Sequence, residues 1–423
     1  MTSVDSVQFN LESSLYQAYQ ASLVLGDLQG RDRSRALKHM AHALDSAKDE
    51  ILEANTLDLE ACEDMAVPDL IRDWLRLTPE RLQGVVQMLE DLSVMVDPLE
   101  QGIATLSSGN GQTQAFTQLV PLGVVAFVYE SLPALGEIAA GLCLRSGNSI
   151  ILRGSADASQ SNTAIAHALQ RGLEAADLSP ACITHLGAEQ GSVLRDLLVK
   201  SQWVNLVIPY GRPSLVAKVE QSATAPVLKT GIGNCYLYWA ASGQLDMVQW
   251  MIQDSYATEP DPVNAIEKVL INRDVSATMV RLLWESLKTA GFQVRVDQAF
   301  GTEPSDLETV DPAEWSQPYL SRTIAFRPVP SLDAAVQWIN AHSSSHADCI
   351  ATESYAESQE FCQKMNSATV YVNTSPRFCR NPSQSSQLAL GMSNQKGHRR
   401  GPIGLTTLTT VKTIILGSGQ VNP

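Results

Sequence analysis

Positive charge is scarce in this sequence: 30 Lys and Arg stand against 45 Asp and Glu in 423 residues, a formal net charge of −15. Nucleic acids and anionic membranes select clustered cations that replace released counterions, so neither is an expected partner. Long apolar runs are missing as well. Nothing approaches the roughly 20 residues of a membrane span, and no basic segment leading into an apolar one opens the chain. A cytoplasmic protein acting on a small-molecule metabolite or a protein partner is the expectation. Cysteine is sparse and unpatterned. Cys62, Cys143, Cys182, Cys235, Cys349, Cys362 and Cys379 are odd in number and form no C-x-x-C pair, which reads as reduced thiols. His39 with His42 and His342 with His346 have helical spacing but no third ligand beyond Asp348, so surface histidines and no metal are expected. No G-x-G-x-x-G follows a strand-like run, and no repeat of solenoid period is present.

What is there is globular: 44% hydrophobic and 18% charged residues exclude the signature of disorder. Leu37, Met40, Ala41, Leu44 and Ala47 recur at i, i+3, i+4 spacing and predict an N-terminal helix with one face in a core. From residue 121 short runs rich in Val and Ile alternate with helical stretches. The runs are Gly123–Tyr129, Ser149–Arg153, Cys182–Leu186, Val204–Pro209 and Pro226–Leu228, with helices predicted over Asn162–Leu173 and Glu189–Lys200. Repeated βα units imply a parallel, doubly wound sheet, with ligands beyond the carboxyl ends of its strands. After a helix near Leu245–Ser255 a second series follows at Ala265–Ile271, Phe292–Val296, Thr323–Phe326, Ala347–Thr352 and Ala368–Asn373. Gln112–Leu119 and Thr406–Leu416 have strand character outside both series and are expected to pair as a ribbon. The fold class is α/β, with two lobes.

Several segments identify a family. Val120–Gly154 reads VPLGVVAFVYESLPALGEIAAGLCLRSGNSIILRG, and the collinear segments are ILEANTLDLE from 51, LIRDWLRLTPERL from 70, VNLVIPYG from 204, HADCIATES from 346, TVYVNTSPRF from 369 and HRRGPIGL from 398. Together they resemble gamma-glutamyl phosphate reductase (glutamate-5-semialdehyde dehydrogenase), a family of the aldehyde dehydrogenase superfamily. The resemblance implies a Rossmann-like cofactor lobe over 1–247, with 108–119 as an oligomerisation strand. It also implies a catalytic-type lobe over 248–380 and a return segment with a second oligomerisation strand over 381–423. It implies NADPH as cofactor and reduction of L-glutamyl 5-phosphate to L-glutamate 5-semialdehyde and phosphate, a step of proline biosynthesis.

That chemistry uses a cysteine thiolate that displaces phosphate and leaves a thioester to accept hydride. The cysteine lies in a pattern resembling R-P-x-x-C-N-A-x-E. Here the segment runs Glu259, Pro260, Asp261, Pro262, Val263, Asn264, Ala265, Ile266, Glu267, which places Val263 at the cysteine position and Asn264 and Glu267 at retained ones. Deleting the nucleophile of a site that acts as a unit costs on the order of 10⁶ in turnover.

Other departures from the family accompany it. The pattern Y-E-A-R-P-N is Tyr129–Ala134, YESLPA, so an asparagine that would donate to an oxyanion is Ala134 and an arginine is Leu132. Loss of one oxyanion donor costs roughly 10²–10³ in rate. Glu259 replaces the arginine of the cysteine motif, and Tyr210 replaces that of P-R-G, with Arg212 two residues on. Ala389 stands for a glutamate that holds the nicotinamide ribose in the wider superfamily.

Retained features nominate Arg153, Gly154 and Asn148 toward the cofactor and Arg377 and Arg400 toward substrate or another anion. Cys379, between Arg377 and Arg380, is the one cysteine with cations beside it in sequence, which favours thiolate, and is the candidate displaced nucleophile. The favoured reading is a catalytically impaired paralogue with a binding or regulatory role, as a homo-oligomer or a hetero-oligomer with an active reductase. The alternatives are an active oxidoreductase using a different nucleophile and a purely structural assembly component.

Overall fold

The computed structural model describes residues 11–64, 67–107, 113–187, 193–257, 260–301, 307–381, 388–397 and 399–417. Glu259, His398, residues 108–112 of the expected ribbon, 189–192 of an expected helix and 382–387 of the return segment lie outside them. The chain divides into two compact units. One comprises 1–228, 381–390 and 403–423, and the other 229–380 and 391–402.

The first unit is built on a parallel four-stranded sheet ordered Ile183–His185, Ser149–Arg153, Val124–Tyr129, Leu206–Tyr210. Val124–Tyr129 is buried at every position, which is why it reads as a continuous apolar run without alternation. The chain runs from it first to Ser149–Arg153 on one side and later to Leu206–Tyr210 on the other, so the sheet has a topological switch point where ligands characteristically bind. Pro226–Leu228 adds only a bridge of Val227 to Val207.

Helices Leu11–Asp27, Gly30–Ser46, Pro133–Arg145 and Ser159–Ala175 belong to this unit. The predicted apolar stripe Leu37, Met40, Ala41, Leu44, Ala47 is buried throughout. Helix Ser159–Ala175 has no cap of its own. Asp58 supplies one from the helix Lys48–Asp64, accepting Gln160 N and Ser161 N at 3.0 and 2.8 Å.

The expected ribbon is present: Thr113–Pro121 pairs antiparallel with Thr409–Gly417, and Gly102–Ser107 completes a three-stranded sheet. Thr409–Gly417 is an edge strand carrying exposed Val411, Ile415 and Leu416.

The second unit has a parallel seven-stranded sheet ordered 308–309, 293–296, 323–329, 266–272, 235–239, 347–351, 369–372. Cys235–Trp239 is a strand that the sequence reading left unassigned. It hydrogen-bonds between Ile266–Asn272 and Ala347–Ala351, so this unit starts at 229 rather than at the expected 248. Helix Ala277–Thr289 shows the local logic: Ser276 caps it by accepting Met279 N, and Val280, Leu283, Trp284 and Leu287 bury one stripe. Among the described residues no helix is long and apolar enough to cross a membrane.

Candidate functional site

Val263 lies in the second unit, in the turn that feeds strand Ile266–Asn272, and is 1% exposed. Its backbone is held firmly. Val263 N donates to Asp261 O at 2.9 Å, while its carbonyl accepts Gly233 N at 3.0 Å and His346 Nε2 at 2.7 Å. The bond to the carbonyl puts the imidazole proton on Nε2, and Nδ1 has no hydrogen-bond partner among the described residues. His346 presses so closely on Gly231 that a Cβ there would lie 2.4 Å from Nδ1. Burial pushes its pKa down to about 4, so the ring is neutral near pH 7.

The residues flanking Val263 are tied to the segment 376–380. Asn264 Nδ2 donates to Pro376 O at 2.9 Å, and Asp261 pairs with Arg380 at 2.6 Å, both side chains almost fully buried. Arg377 is exposed and reaches Asp254 at 3.4 Å. Cys379 is exposed and lies within this strapped segment. Cys235 is the nearby buried thiol, its Sγ 4.0 Å from Val263 O and 3.4 Å from His346 Nε2, and burial raises its pKa far from thiolate.

Glu267 is fully buried. It accepts Asn234 N, Tyr319 N and Leu320 N, each at 2.8 Å, and sits 3.7 Å from Lys268 Nζ. Burial raises the carboxyl pKa and pushes Lys268 down to about 8, the two directions expected of a desolvated pair. This bonding gives Glu267 the work of closing the turns at 234 and 319–320. Arg400 donates to Asn366 O at 2.7 Å from the surface.

In the first unit, Arg153 ends strand Ser149–Arg153 at its carboxyl end and donates to Gly154 O; burial lowers the guanidinium pKa. A Cβ on Gly154 would lie 2.1 Å from Asn162 Nδ2, so a side chain there would require the buried Asn162 amide to move. Asn148 lies at the opposite end of that strand. Its Oδ1 accepts Gly123 N at 2.9 Å and its Nδ2 donates to Leu408 O at 2.8 Å, so its polar capacity is spent on the scaffold.

At the switch point Arg212 forks onto Glu130 at 3.1 and 3.0 Å, while Tyr210 is buried beside Phe127. Leu132 and Ala389 are buried. Glu137, in helix Pro133–Arg145, is fully buried, and neither carboxyl oxygen has a hydrogen-bond partner among the described residues.

The structure thus gathers Val263, Asn264, His346, Asp261 and Arg380, of which the sequence nominated only the first two for chemistry. His346 had been paired with His342, but His342 bonds Ser316 Oγ at 2.9 Å and stacks on Trp338, so the two rings do not converge. Among the described residues no group of three or more His, Cys, Asp or Glu is placed to hold a metal ion.

The chain matches no model of a protein family. It is 48% identical over 422 residues to gamma-glutamyl phosphate reductase 2 of Synechocystis sp., covering 99% of this chain and all of that protein. The crystal structure of gamma-glutamyl phosphate reductase from Thermotoga maritima superposes with a TM-score of 0.90 at 30% identity, over 98% of this chain and all of the other. A probable aldehyde dehydrogenase from Listeria monocytogenes shares the fold, at a TM-score of 0.71 and 15% identity over 97% of both chains.

Proposed function

The chain belongs to the gamma-glutamyl phosphate reductase family, and from that premise we propose that it is a member whose cysteine-dependent reduction is lost and which acts by binding. The observation that carries the reading is Val263, a side chain without a nucleophile in a turn whose backbone is fixed by His346 and Gly233. The accompanying substitutions have the same sense. Ala134 offers no amide to an oxyanion, Leu132 and Tyr210 no cation to a doubly anionic substrate, and Arg212 is engaged by Glu130.

NADPH is the proposed ligand of the first unit, where it would supply a hydride donor. Arg153 and Gly154, at the carboxyl end of a parallel strand, suit the adenosine end of a dinucleotide. Ala389 gives the nicotinamide ribose no acceptor, so the residues fit one end of the cofactor better than the other. Asn148 is assigned to the scaffold by its bonding, and Arg377 and Arg400 remain anion contacts on the surface of the second unit. The edge strand Thr409–Gly417, with its exposed apolar residues, supports assembly with further copies or with an active reductase.

Titration with NADPH tests the binding role. Saturable binding that weakens in Arg153→Ala is expected, and no binding would leave only the assembly role.

A second reading is favoured by Cys379. It is exposed, and the residues on either side of it, Pro376 and Arg380, contact the neighbours of Val263. In this reading Cys379 replaces the missing thiol and the chain is an active oxidoreductase. Activity abolished in Cys379→Ser would establish it; an active enzyme indifferent to that change would exclude it.

A further inference from the structure

The first unit holds a cleft of about 680 Å³ that none of the residues assigned above lines. That is the size of a small-molecule site. One wall is the outer face of helix Leu11–Asp27, with Tyr16, Gln17, Gln20 and Val24; the other runs from Leu178 to His185 and includes the edge strand Ile183–His185.

Every lining side chain is uncharged near neutrality, in a chain of formal charge −15. His185 is no exception, because burial, with His167 and Arg153 nearby, pushes it down to about 4. Tyr16 is half exposed and rests edge-on against Trp203, with centroids 5.6 Å apart. Gln170 Nε2 covers Ile183 O at 2.8 Å, which closes part of the strand edge. The amides of Gln17 and Gln20 bond no described residue.

We propose that this cleft binds a flat, uncharged, hydrogen-bonding small molecule of the nucleoside class, at a site separate from the strand-end position given to NADPH. A charged ligand would meet no counter-charge among the side chains that line the cleft. Gln17 and Gln20 each present a donor and an acceptor side by side, the pattern that pairs with the edge of a heterocyclic base. Tyr16 and Val24 offer ring and apolar surface to its faces. A peptide strand is disfavoured, since the edge is three residues long and Gln170 already caps it.

The experiment is calorimetric titration of the full chain with adenosine, alone and with saturating NADPH, repeated with AMP and with Gln17→Leu and Gln20→Leu. Both glutamines are exposed on a helix, and circular dichroism verifies that the variants fold. The expected result is saturable adenosine binding that NADPH does not displace, weaker binding of AMP, and a loss of about tenfold in each variant, the worth of one hydrogen bond. No saturable binding of adenosine, or an affinity unchanged in both variants, overturns the proposal. Displacement by NADPH also overturns it, by moving adenosine to the strand-end site. A chain that takes adenosine in a glutamine-dependent way but no NADPH keeps the cleft and loses the cofactor reading.

Discussion

His346 Nε2 donates to the carbonyl oxygen of Val263 at 2.7 Å, joining residues 83 apart in sequence and fixing the turn that bears Val263. The backbone of that turn is therefore held in place around a side chain that carries no nucleophile.

Burial of that imidazole makes stability depend on pH, with the bond to Val263 O working against the shift. Burial holds His346 at about 4, against an ordinary value of 6.5, so below 6.5 the unfolded chain takes up a proton that the folded chain refuses. The stabilisation is complete above 6.5 and is lost as pH falls through the window down to about 4, at about 1.4 kcal/mol per pH unit for one proton. His185, also near 4, adds to this slope, whereas Asp348, pushed up to about 6 by burial, opposes it. His346→Gln can still donate to Val263 O, and it is expected to flatten the acid limb of the urea midpoint plotted against pH. A limb of unchanged slope would contradict the assignment.

The buried pair Asp261–Arg380 ties the Val263 turn to the segment that follows strand Thr369–Val372. Removing one partner strands a buried charge, at a cost of roughly 3–5 kcal/mol. Asp261→Ala should therefore lower stability by about that much, and the double variant with Arg380→Met should recover a large part of it. Additive losses, the double variant losing as much as the two single variants together, would show that the pair is not coupled.

Glu137 is a buried acid without a hydrogen-bonding partner among the described residues, and burial raises its pKa well above the ordinary carboxyl value. Folding favours its protonated form, so its contribution worsens as pH rises from 4.5 through the folded pKa. Replacement by methionine, of similar volume, is expected to stabilise the protein by on the order of 1–3 kcal/mol at pH 8 and by less at pH 5. Melting temperatures at the two pH values measure this, and an equal shift at both would contradict it.

Much of this was legible in the sequence because parallel strands buried on both faces announce themselves as unbroken apolar runs, as in Val124–Tyr129 and Ile266–Asn272. Cys235–Trp239 was missed for want of Val and Ile, its burial being carried by Tyr236, Tyr238 and Trp239. Pro226–Leu228 looked like a strand but has only a single bridge to Val207. Val263 was found by register against neighbours in the motif. Its support was not, because His346 lies 83 residues away and no local pattern links an imidazole to a distant carbonyl. The pair Asp261–Arg380 was invisible for the same reason, spanning 119 residues. Asn148, nominated toward the cofactor as a retained family feature, bonds Gly123 N and Leu408 O at the amino end of its strand, contacts that no local pattern announces.

The proposed loss of cysteine chemistry is tested most directly by phosphate-dependent reduction of NADP⁺ with glutamate 5-semialdehyde, measured on the purified wild-type chain and on Val263→Cys. The account predicts no rate above background for the wild type and little recovery in the variant, because the oxyanion donor, the arginines and the ribose contact are missing as well. Robust wild-type turnover would contradict it.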